Sequence, residues 1–276
     1  MTESYDMRAV APTVCRVLGV RPPRRAEIGP LTEVVETMGV QRRLVVVVID
    51  AFGASTWAVV RTETPTINAL ANRHLVHIRS VMPTVTPVNF ATMLTGVGSK
   101  VHLIKNREEK LNLETVFDVL RERGRESATA ARSESSLGIL ISPHADHARL
   151  ARSNRDEEVK DLAAEAIKGG VDLLWVQLLD VDDAGHQHGP LSSRGVSAAG
   201  QADFHLKEIA TAAFREGYAI MVLADHGQHM TTKDDGSVGG THGTDDDEDV
   251  YVPFIWCTVR EIGDALGLVN NGASVI

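Results

Sequence analysis

The stretch Arg43–Asp50, RLVVVVID, decides the fold class. Its valines, flanked by leucine and isoleucine, leave no polar face, which is typical of a strand buried on both sides of a parallel sheet. The run is far too short to cross a bilayer. Because the strand ends in Asp50, it places a carboxylate at the edge of the predicted sheet, where ligands bind in folds of this kind.

Apolar segments alternate with amphipathic ones along the rest of the chain. Further strands are predicted at 75–80, 127–131, 173–179, 219–224 and 252–257, and helices at 65–73, 87–94, 113–123, 156–168 and 197–216. This alternation predicts an α/β fold, a three-layer αβα sandwich with a mostly parallel central sheet. We expect one domain over residues 1–276, with the helical segment 1–40 packing on its core.

Composition excludes several classes of protein. The 276 residues are 43% hydrophobic and 24% charged, as in an ordinary folded domain. A net charge of −9 argues against a protein that binds nucleic-acid polymers. The N-terminus lacks a basic segment followed by an apolar one, and the only cysteines are Cys15 and Cys257. We therefore expect a cytoplasmic protein without a membrane segment or a disulfide framework.

Acids and histidines cluster where predicted strands end. The candidates there are Asp50, Asp182, His186, Asp225 and His226, and His242 comes further on, between two glycine-containing turns. Two carboxylates about 5 Å apart repel by about 3 kcal/mol at an effective dielectric of about 20, so such an edge needs a cation or raised pKa values. Carboxylates mixed with imidazoles suit Zn or Mn better than Ca or Mg. Asp182 and His186 are spaced to face one ion from a single helical turn.

The segment Pro83–Gly96, PTVTPVNFATMLTG, predicts a turn that leads into a short helix. Thr86 is a suitable N-cap, Pro87 a suitable first helical residue, and Gly96 a suitable end. A threonine hydroxyl at a helix N-terminus beside a divalent ion can lose its proton and attack phosphorus. Thr86 is therefore the candidate nucleophile.

The ordered set VVVVIDAFG, PTVT, HLIKN, DDAGHQHGP, DHG and HG resembles the alkaline phosphatase superfamily, most closely its type I phosphodiesterases and nucleotide pyrophosphatases, over residues 43–257. The resemblance implies Thr86 as nucleophile and Asn106 as the oxyanion-binding residue. It implies two divalent ions, Zn or else Mn, one held by Asp50, Thr86, Asp225 and His226 and the other by Asp182, His186 and His242. The implied reaction is hydrolysis of phosphodiester or pyrophosphate bonds in a small phosphorylated substrate through a phospho-threonine intermediate.

Some features depart from the family pattern. Asn89 follows the nucleophile in the order T-P-V-N, and only 16 residues separate His226 from His242, so a substrate-covering insert is missing. The segment Asp6–Pro23 resembles one that normally follows the last metal ligand, which predicts a permuted N-terminal segment.

Alternative interpretations stay open at this point. A phosphomonoesterase or a phosphonate hydrolase would use the same metal core, and an inactive metal-binding interaction domain would keep the ligands without turnover. His188 and Asp183 are candidates for supporting roles beside the metal ligands. The acidic run Asp245–Asp249 is expected to form a solvated loop.

Overall fold

The computed structural model describes residues 5–269. Its strands are β1 (Tyr5–Asp6), β2 (Leu44–Ile49), β3 (Leu75–Arg79), β4 (Ser127–Arg132), β5 (His147–Ala151), β6 (Leu173–Leu178), β7 (Ala219–Leu223), β8 (His229–Thr232), β9 (Val238–Thr241) and β10 (Tyr251–Cys257). Its α-helices are α1 (Val10–Val17), α2 (Thr32–Met38), α3 (Ala54–Val60), α4 (Pro65–Ala71), α5 (Thr86–Thr95), α6 (Ser99–His102), α7 (Val116–Glu122), α8 (Asp156–Gly169), α9 (Asp180–His188), α10 (Ser193–Glu216), α11 (Asp247–Val250) and α12 (Val259–Leu266).

The central sheet has eight strands in the order β1-β3-β10-β7-β2-β6-β4-β5. Only β10 among them runs antiparallel to its neighbours. Strand β2, the valine run, lies between β7 and β6 with every residue buried. The predicted mostly parallel sheet is confirmed, because continuous apolar strands are stable only where helices cover both faces.

Helices pack in two groups. Helix α10 contacts α4, α8, α9 and α12, whereas α1 contacts α2, α5 and α7. These two groups form the outer layers of the sandwich. None of the helices between residues 5 and 269 is long and apolar enough to span a membrane.

The N-terminal segment is part of this core. Strand β1 extends the sheet beside β3, and α1 buries Val10, Val14 and Val17. Residues 1–4 and 270–276 of the predicted single domain lie outside the described residues. The permuted origin of this segment stays a prediction.

Several element boundaries differ from the predictions. Helix α5 begins at Thr86 with Val85 as its N-cap, one residue earlier than expected. Helix α7 begins at Val116 because the side chains of Thr115 and Asp118 form a reciprocal capping box. Strand β5 and the hairpin β8–β9 were not predicted, since their short, largely exposed and partly polar sequences lack a periodic apolar pattern.

Candidate active site

Three adjacent parallel strands deliver the predicted ligands to one edge of the sheet. Asp50 follows β2 directly, Asp225 and His226 follow β7, and α9 begins at Asp180, just after β6. The carboxyl ends of these strands meet because β7, β2 and β6 are neighbours running in the same direction. The order of the strands in the sheet therefore brings together side chains that are far apart in the sequence.

The first cluster consists of Asp50, Asp225 and His226, all fully buried. Their potential ligand atoms lie within 4.8 Å of one another. His226 Nε2 is 3.3 Å from Asp225 Oδ2 and 3.6 Å from Asp50 Oδ1. Two buried carboxylates at this spacing require a cation or a proton.

The second cluster consists of Asp182, His186 and His242. Asp182 and His186 lie one turn apart on α9, with Oδ1 and Nε2 3.3 Å apart. His242, immediately after β9, places Nε2 3.7 Å from the same oxygen. The rings of His226 and His242 stack with centroids 3.9 Å apart, so the two clusters are adjacent.

Backbone carbonyls determine which nitrogen of each of the three imidazoles is free to bind a metal ion. Nδ1 of His226 lies 2.9 Å from the Gly227 oxygen, Nδ1 of His186 lies 3.1 Å from the Gly240 oxygen, and Nδ1 of His242 lies 2.8 Å from the Thr84 oxygen. A carbonyl can only accept, so each Nδ1 must donate. Each Nε2 therefore directs its lone pair into the site, as in metal-binding histidines.

Two features show that the clusters fit divalent cations. Nε2 of His186 and Nε2 of His242 lie 3.0 Å apart, so two lone pairs face each other. Asp225 Oδ2 is buried and has no hydrogen-bond partner among residues 5–269. A buried acceptor without a donor, such as Asp225 Oδ2, is costly, and one ion in each cluster would satisfy it and the two facing lone pairs. The mixture of imidazole and carboxylate ligands suits Zn or Mn.

Thr86 lies at the first cluster. Its Oγ1 is 3.1 Å from His226 Nε2 and 3.4 Å from Asp50 Oδ1, and the residue is partly exposed. The hydroxyl is thus near both a candidate metal ligand set and incoming solvent or substrate. It also lies in the first turn of α5, where the helix dipole favours negative charge.

Buried amides that were not predicted orient the carboxylates. Gln177 Nε2 donates to Asp50 Oδ2 at 2.5 Å, and Gln228 Nε2 donates to Asp182 Oδ1 at 3.3 Å. The Ala51 N–H donates to Asp225 Oδ1 at 3.3 Å. Gln177 lies inside the apolar strand β6, where only its polarity in a buried run could have indicated a role.

A close backbone approach explains the glycine of the D-H-G element. A Cβ on Gly227 would lie 1.9 Å from the Glu248 carbonyl oxygen and 2.9 Å from the Gly53 Cα. The two loops that carry Asp50 and Asp225 therefore touch through their glycines. A larger residue at position 227 would separate them.

Burial dominates the electrostatics of the site. Desolvation, reinforced by Asp225 and Asp182, raises the pKa of Asp50 well above its ordinary value. Desolvation, with Asp182 nearby, also raises the pKa of Asp225 to about 7. Desolvation lowers the pKa of His242 to about 4, and His226 adds to this effect. Desolvation also lowers the pKa of His226, so His226 and His242 favour the neutral form that binds metals, whereas the hydrogen bond with Asp182 raises the pKa of His186.

Within residues 5–269, the hydrogen bonds of Asn106 are with Glu108 and Glu109 and not with either cluster. Asn106 is exposed, and its Oδ1 accepts from the Glu108 N–H at 3.2 Å. Its Nδ2 is the group that could donate to a phosphoryl oxygen. The role of Asn106 stays a prediction.

The candidate supporting residues have other contacts. His188 is exposed at the end of α9. Asp183 binds Arg132 Nη1 at 2.7 Å instead of a ligand residue. The solvated-loop prediction for Asp245–Asp249 is wrong at Asp249, which is fully buried and binds His229 Nδ1 at 2.8 Å and the Thr244 N–H at 3.0 Å. Asp249 thereby anchors the loop after His242.

Comparisons with known proteins agree with this geometry. The family model for type I phosphodiesterase / nucleotide pyrophosphatase matches residues 44–123, and the Metalloenzyme superfamily model matches residues 140–262. No curated protein sequence matches the chain.

Solved structures share the fold at low sequence identity. An inactive form of murine ectonucleotide pyrophosphatase / phosphodiesterase 5 in complex with AMP has a TM-score of 0.64 at 14% identity, covering 85% of this chain and 97% of that one. Phosphonoacetate hydrolase from Sinorhizobium meliloti, in complex with phosphonoformate, has a TM-score of 0.56 at 18% identity. The match covers 71% of this chain and 59% of the hydrolase. The C-terminal periplasmic domain of EptC from Escherichia coli, in complex with Zn, has a TM-score of 0.55 at 15% identity. The match covers 82% of this chain and 75% of the EptC domain.

Fold and site together define a metalloenzyme with an alkaline-phosphatase-like architecture. The type I phosphodiesterase match covers β2, which leads to Asp50, and the turn with Thr86, while the Metalloenzyme match covers the remaining candidate ligands. Matches to two family models over separate parts of the chain, together with the shared fold, agree with the resemblance to the alkaline phosphatase superfamily.

Proposed function

We propose that the chain is a two-metal phosphoryl hydrolase that cleaves phosphodiester or pyrophosphate bonds through a phospho-threonine intermediate. The observation that carries this proposal is the position of Thr86 Oγ1, 3.1 Å from His226 Nε2 and 3.4 Å from Asp50 Oδ1. A structural metal site is closed and has no use for a partly exposed hydroxyl. This position therefore supports an enzyme rather than an inactive metal-binding interaction domain.

The residues present fit two ions. Asp50, Thr86, Asp225 and His226 would hold one, and Asp182, His186 and His242 would hold the other, with Zn preferred and Mn as the alternative. Bound ions would supply positive charge to the phosphoryl oxygens and lower the pKa of the Thr86 hydroxyl.

The protein side chains then carry two displacements. The Thr86 hydroxyl loses its proton, and Oγ1 forms a bond to phosphorus while the bond to the leaving oxygen breaks; the leaving group takes up a proton. Water next forms a bond to phosphorus as the bond to Oγ1 breaks, and Thr86 regains its proton. The backbone N–H of Thr86 and Nδ2 of Asn106 are the proposed donors to a non-bridging oxygen.

The substrate is proposed to be a small phosphorylated molecule, in the cytoplasm. The net charge of −9 disfavours nucleic-acid polymers, and Cys15 and Cys257 are free thiols, as is usual in a reducing compartment. Phosphonate hydrolysis is the second candidate, because a phosphonoacetate hydrolase shares the fold. The Zn in the EptC complex supports Zn as the ion.

A Thr86→Ala variant tests the covalent step. We expect turnover to fall by roughly a thousandfold while metal content, measured by elemental analysis, persists through the remaining ligands. Thr86→Ser should restore part of the activity, and Thr62→Ala, an exposed threonine, should change nothing. Retained turnover in Thr86→Ala would remove the phospho-threonine from the mechanism.

The assay also separates the candidate activities. The protein is stripped of metal, reloaded with Zn or Mn, and given p-nitrophenyl phosphate, bis-p-nitrophenyl phosphate and phosphonoacetate. Preference for the diester supports the proposal, and preference for one of the others supports the corresponding alternative. Absence of turnover on all three, with both metals bound, would favour the interaction domain.

A further inference from the structure

A cavity of about 370 Å³ opens beside the end of β3. We call it the β3 cavity. Its walls are the strand end 79–82, the segment 98–101, and Asp6, Arg8 and Glu27. This volume suits a small organic group rather than a macromolecule. None of these residues belongs to the two metal clusters.

Positive charge predominates in the β3 cavity. Arg8 is compensated internally, because it binds Asp6 at 2.8 Å and Glu27 at 2.9 Å. Lys100 is exposed and has no carboxylate within ion-pair distance in the described range 5–269. Within residues 5–269, the ion pair that Arg79 forms is with Asp245, whose side chain is 69% exposed, and Arg79 also interacts with Tyr251. An exposed ion pair of this kind is weak, so another anion can replace Asp245 on the guanidinium.

Contacts connect the β3 cavity to the candidate active site. Ser80, in the cavity wall, donates its hydroxyl to the Asp225 carbonyl oxygen at 2.8 Å. The strand end 79–82 continues directly into the turn before Thr86. On the other side, Asp245 follows Thr244, whose carbonyl oxygen accepts from Thr84 at 2.9 Å.

The separation between the two sites follows from the sheet. Strand β3 lies two positions from β7, the strand that precedes Asp225 and His226. Neighbouring strands are about 4.8 Å apart, so β3 and β7 are separated by about 10 Å. A group bound there belongs to a substituent of the substrate, not to the phosphoryl group that reacts.

We propose that the β3 cavity is a subsite for an anionic group, a carboxylate or a second phosphate, at the end of one ester arm of the substrate. Arg79 and Lys100 bind this group after it displaces Asp245, and Val81, Met82 and Val101 cover the apolar part of the arm. The assignment rests on the proposed function, because it takes the reacting phosphoryl group to lie at Thr86.

Two matched substrates test the subsite. Both are p-nitrophenyl phosphodiesters, and the second alcohol is hexanol in one and hydroxyhexanoate in the other, so they differ in the terminal carboxylate. We expect a KM roughly threefold to tenfold lower for the carboxylate ester, with similar kcat. Lys100→Gln should reduce this preference, Arg79→Gln should abolish it, and Asp245→Asn should increase it by removing the competing carboxylate.

Controls and outcomes separate this proposal from the proposed function. Lys168→Gln removes an exposed positive charge on α8 and should leave the preference unchanged. Equal KM values for the two esters, or a preference that survives both Lys100→Gln and Arg79→Gln, would overturn the subsite. If neither ester is hydrolysed, the proposed function fails, and binding of the same two compounds measured by calorimetry still decides the subsite. Lys100 is exposed, so its variant should fold normally.

Discussion

Asp50 has only one oxygen free to bind a metal ion, because Gln177 Nε2 donates a hydrogen bond to the other oxygen at 2.5 Å. Gln177 cannot reverse its amide, since its Oε1 accepts from the Leu137 N–H at 3.0 Å. Asp225 is restricted in the same way by the Ala51 N–H. Single-oxygen ligation keeps the coordination number low, which suits the tetrahedral geometry of Zn.

Replacing Gln177 should therefore weaken metal binding. We expect Gln177→Met, which keeps the volume and removes the donor, to lower metal affinity by roughly tenfold to a hundredfold. A competition titration with a chromophoric chelator measures the affinity. Gln201→Met, at an exposed glutamine on α10, is the matched control and should bind metal normally. Equal affinities for the two variants would show that Gln177 does not position Asp50.

The turn between β3 and α5 is the element that places the nucleophile. Asn89, buried in α5, accepts from the Val81 N–H at 2.8 Å and donates to the Val81 and Val85 carbonyl oxygens at 3.2 and 3.4 Å. The Asn89 side chain thus holds the turn against helix α5. The Thr84 hydroxyl links this turn to the loop that follows His242, a member of the second cluster.

Asn89→Ala should loosen the turn without touching a ligand. We expect the free energy of unfolding to fall by about 1–3 kcal/mol, because the Val81 N–H loses its acceptor. Turnover should fall further than metal affinity, since Thr86 moves while the clusters remain. Denaturant unfolding and metal titration measure the two effects, with Asn112→Ala, at an exposed position, as control. Normal turnover in Asn89→Ala would show that the turn is held by other contacts.

At the scale of the whole molecule, the fold concentrates carboxylates in its interior. The three central strands are among the most apolar segments of the chain, yet their ends bring Asp50 and Asp225 together fully buried. Without a cation the protein can relieve this repulsion only by binding a proton. Stability, pH and metal occupancy are therefore coupled.

This coupling gives a pH dependence with a definite sign. The pKa of Asp225 is raised by burial to about 7 from 3.8, so the folded metal-free protein holds a proton that the unfolded chain releases. The resulting stability is present below pH 4 and is lost as pH rises through 7, on the order of 4 kcal/mol for such a shift. Unfolding at pH 5 and pH 8 should show the larger part of this loss, roughly 2–3 kcal/mol, in the metal-free protein.

Two comparisons isolate the effect of Asp225. Asp225→Asn cannot ionise at this position, so its metal-free form should lose less stability between pH 5 and pH 8. In the metal-loaded protein an ion replaces the proton, and the same loss should disappear. Identical pH profiles for the metal-free protein and the Asn variant would contradict the shifted pKa.

The amino-acid sequence alone predicted the parallel sheet and the gathering of six candidate ligands. This was possible because five of the ligands lie within or next to a short motif at the end of an apolar strand, while His242 was implied by the HG element of the family resemblance. Parallel strands share one edge for their carboxyl ends, so local patterns suffice to bring Asp50, Asp182 and Asp225 together. The four-residue spacing of Asp182 and His186 likewise required only the geometry of a helix.

Tertiary structure alone decided how these residues are held. Gln177 and Gln228 belong to no motif, and no sequence pattern indicated the contacts that Asn89 and Asp249 make. The partners of Gln177 and His242 lie 127 and 158 residues away in the chain. Which carboxylate oxygen is free, which imidazole nitrogen faces the site, and where the β3 cavity opens all depend on such distant contacts. Hydrogen bonds act over about 3 Å, and only packing of the complete fold brings those atoms within that range.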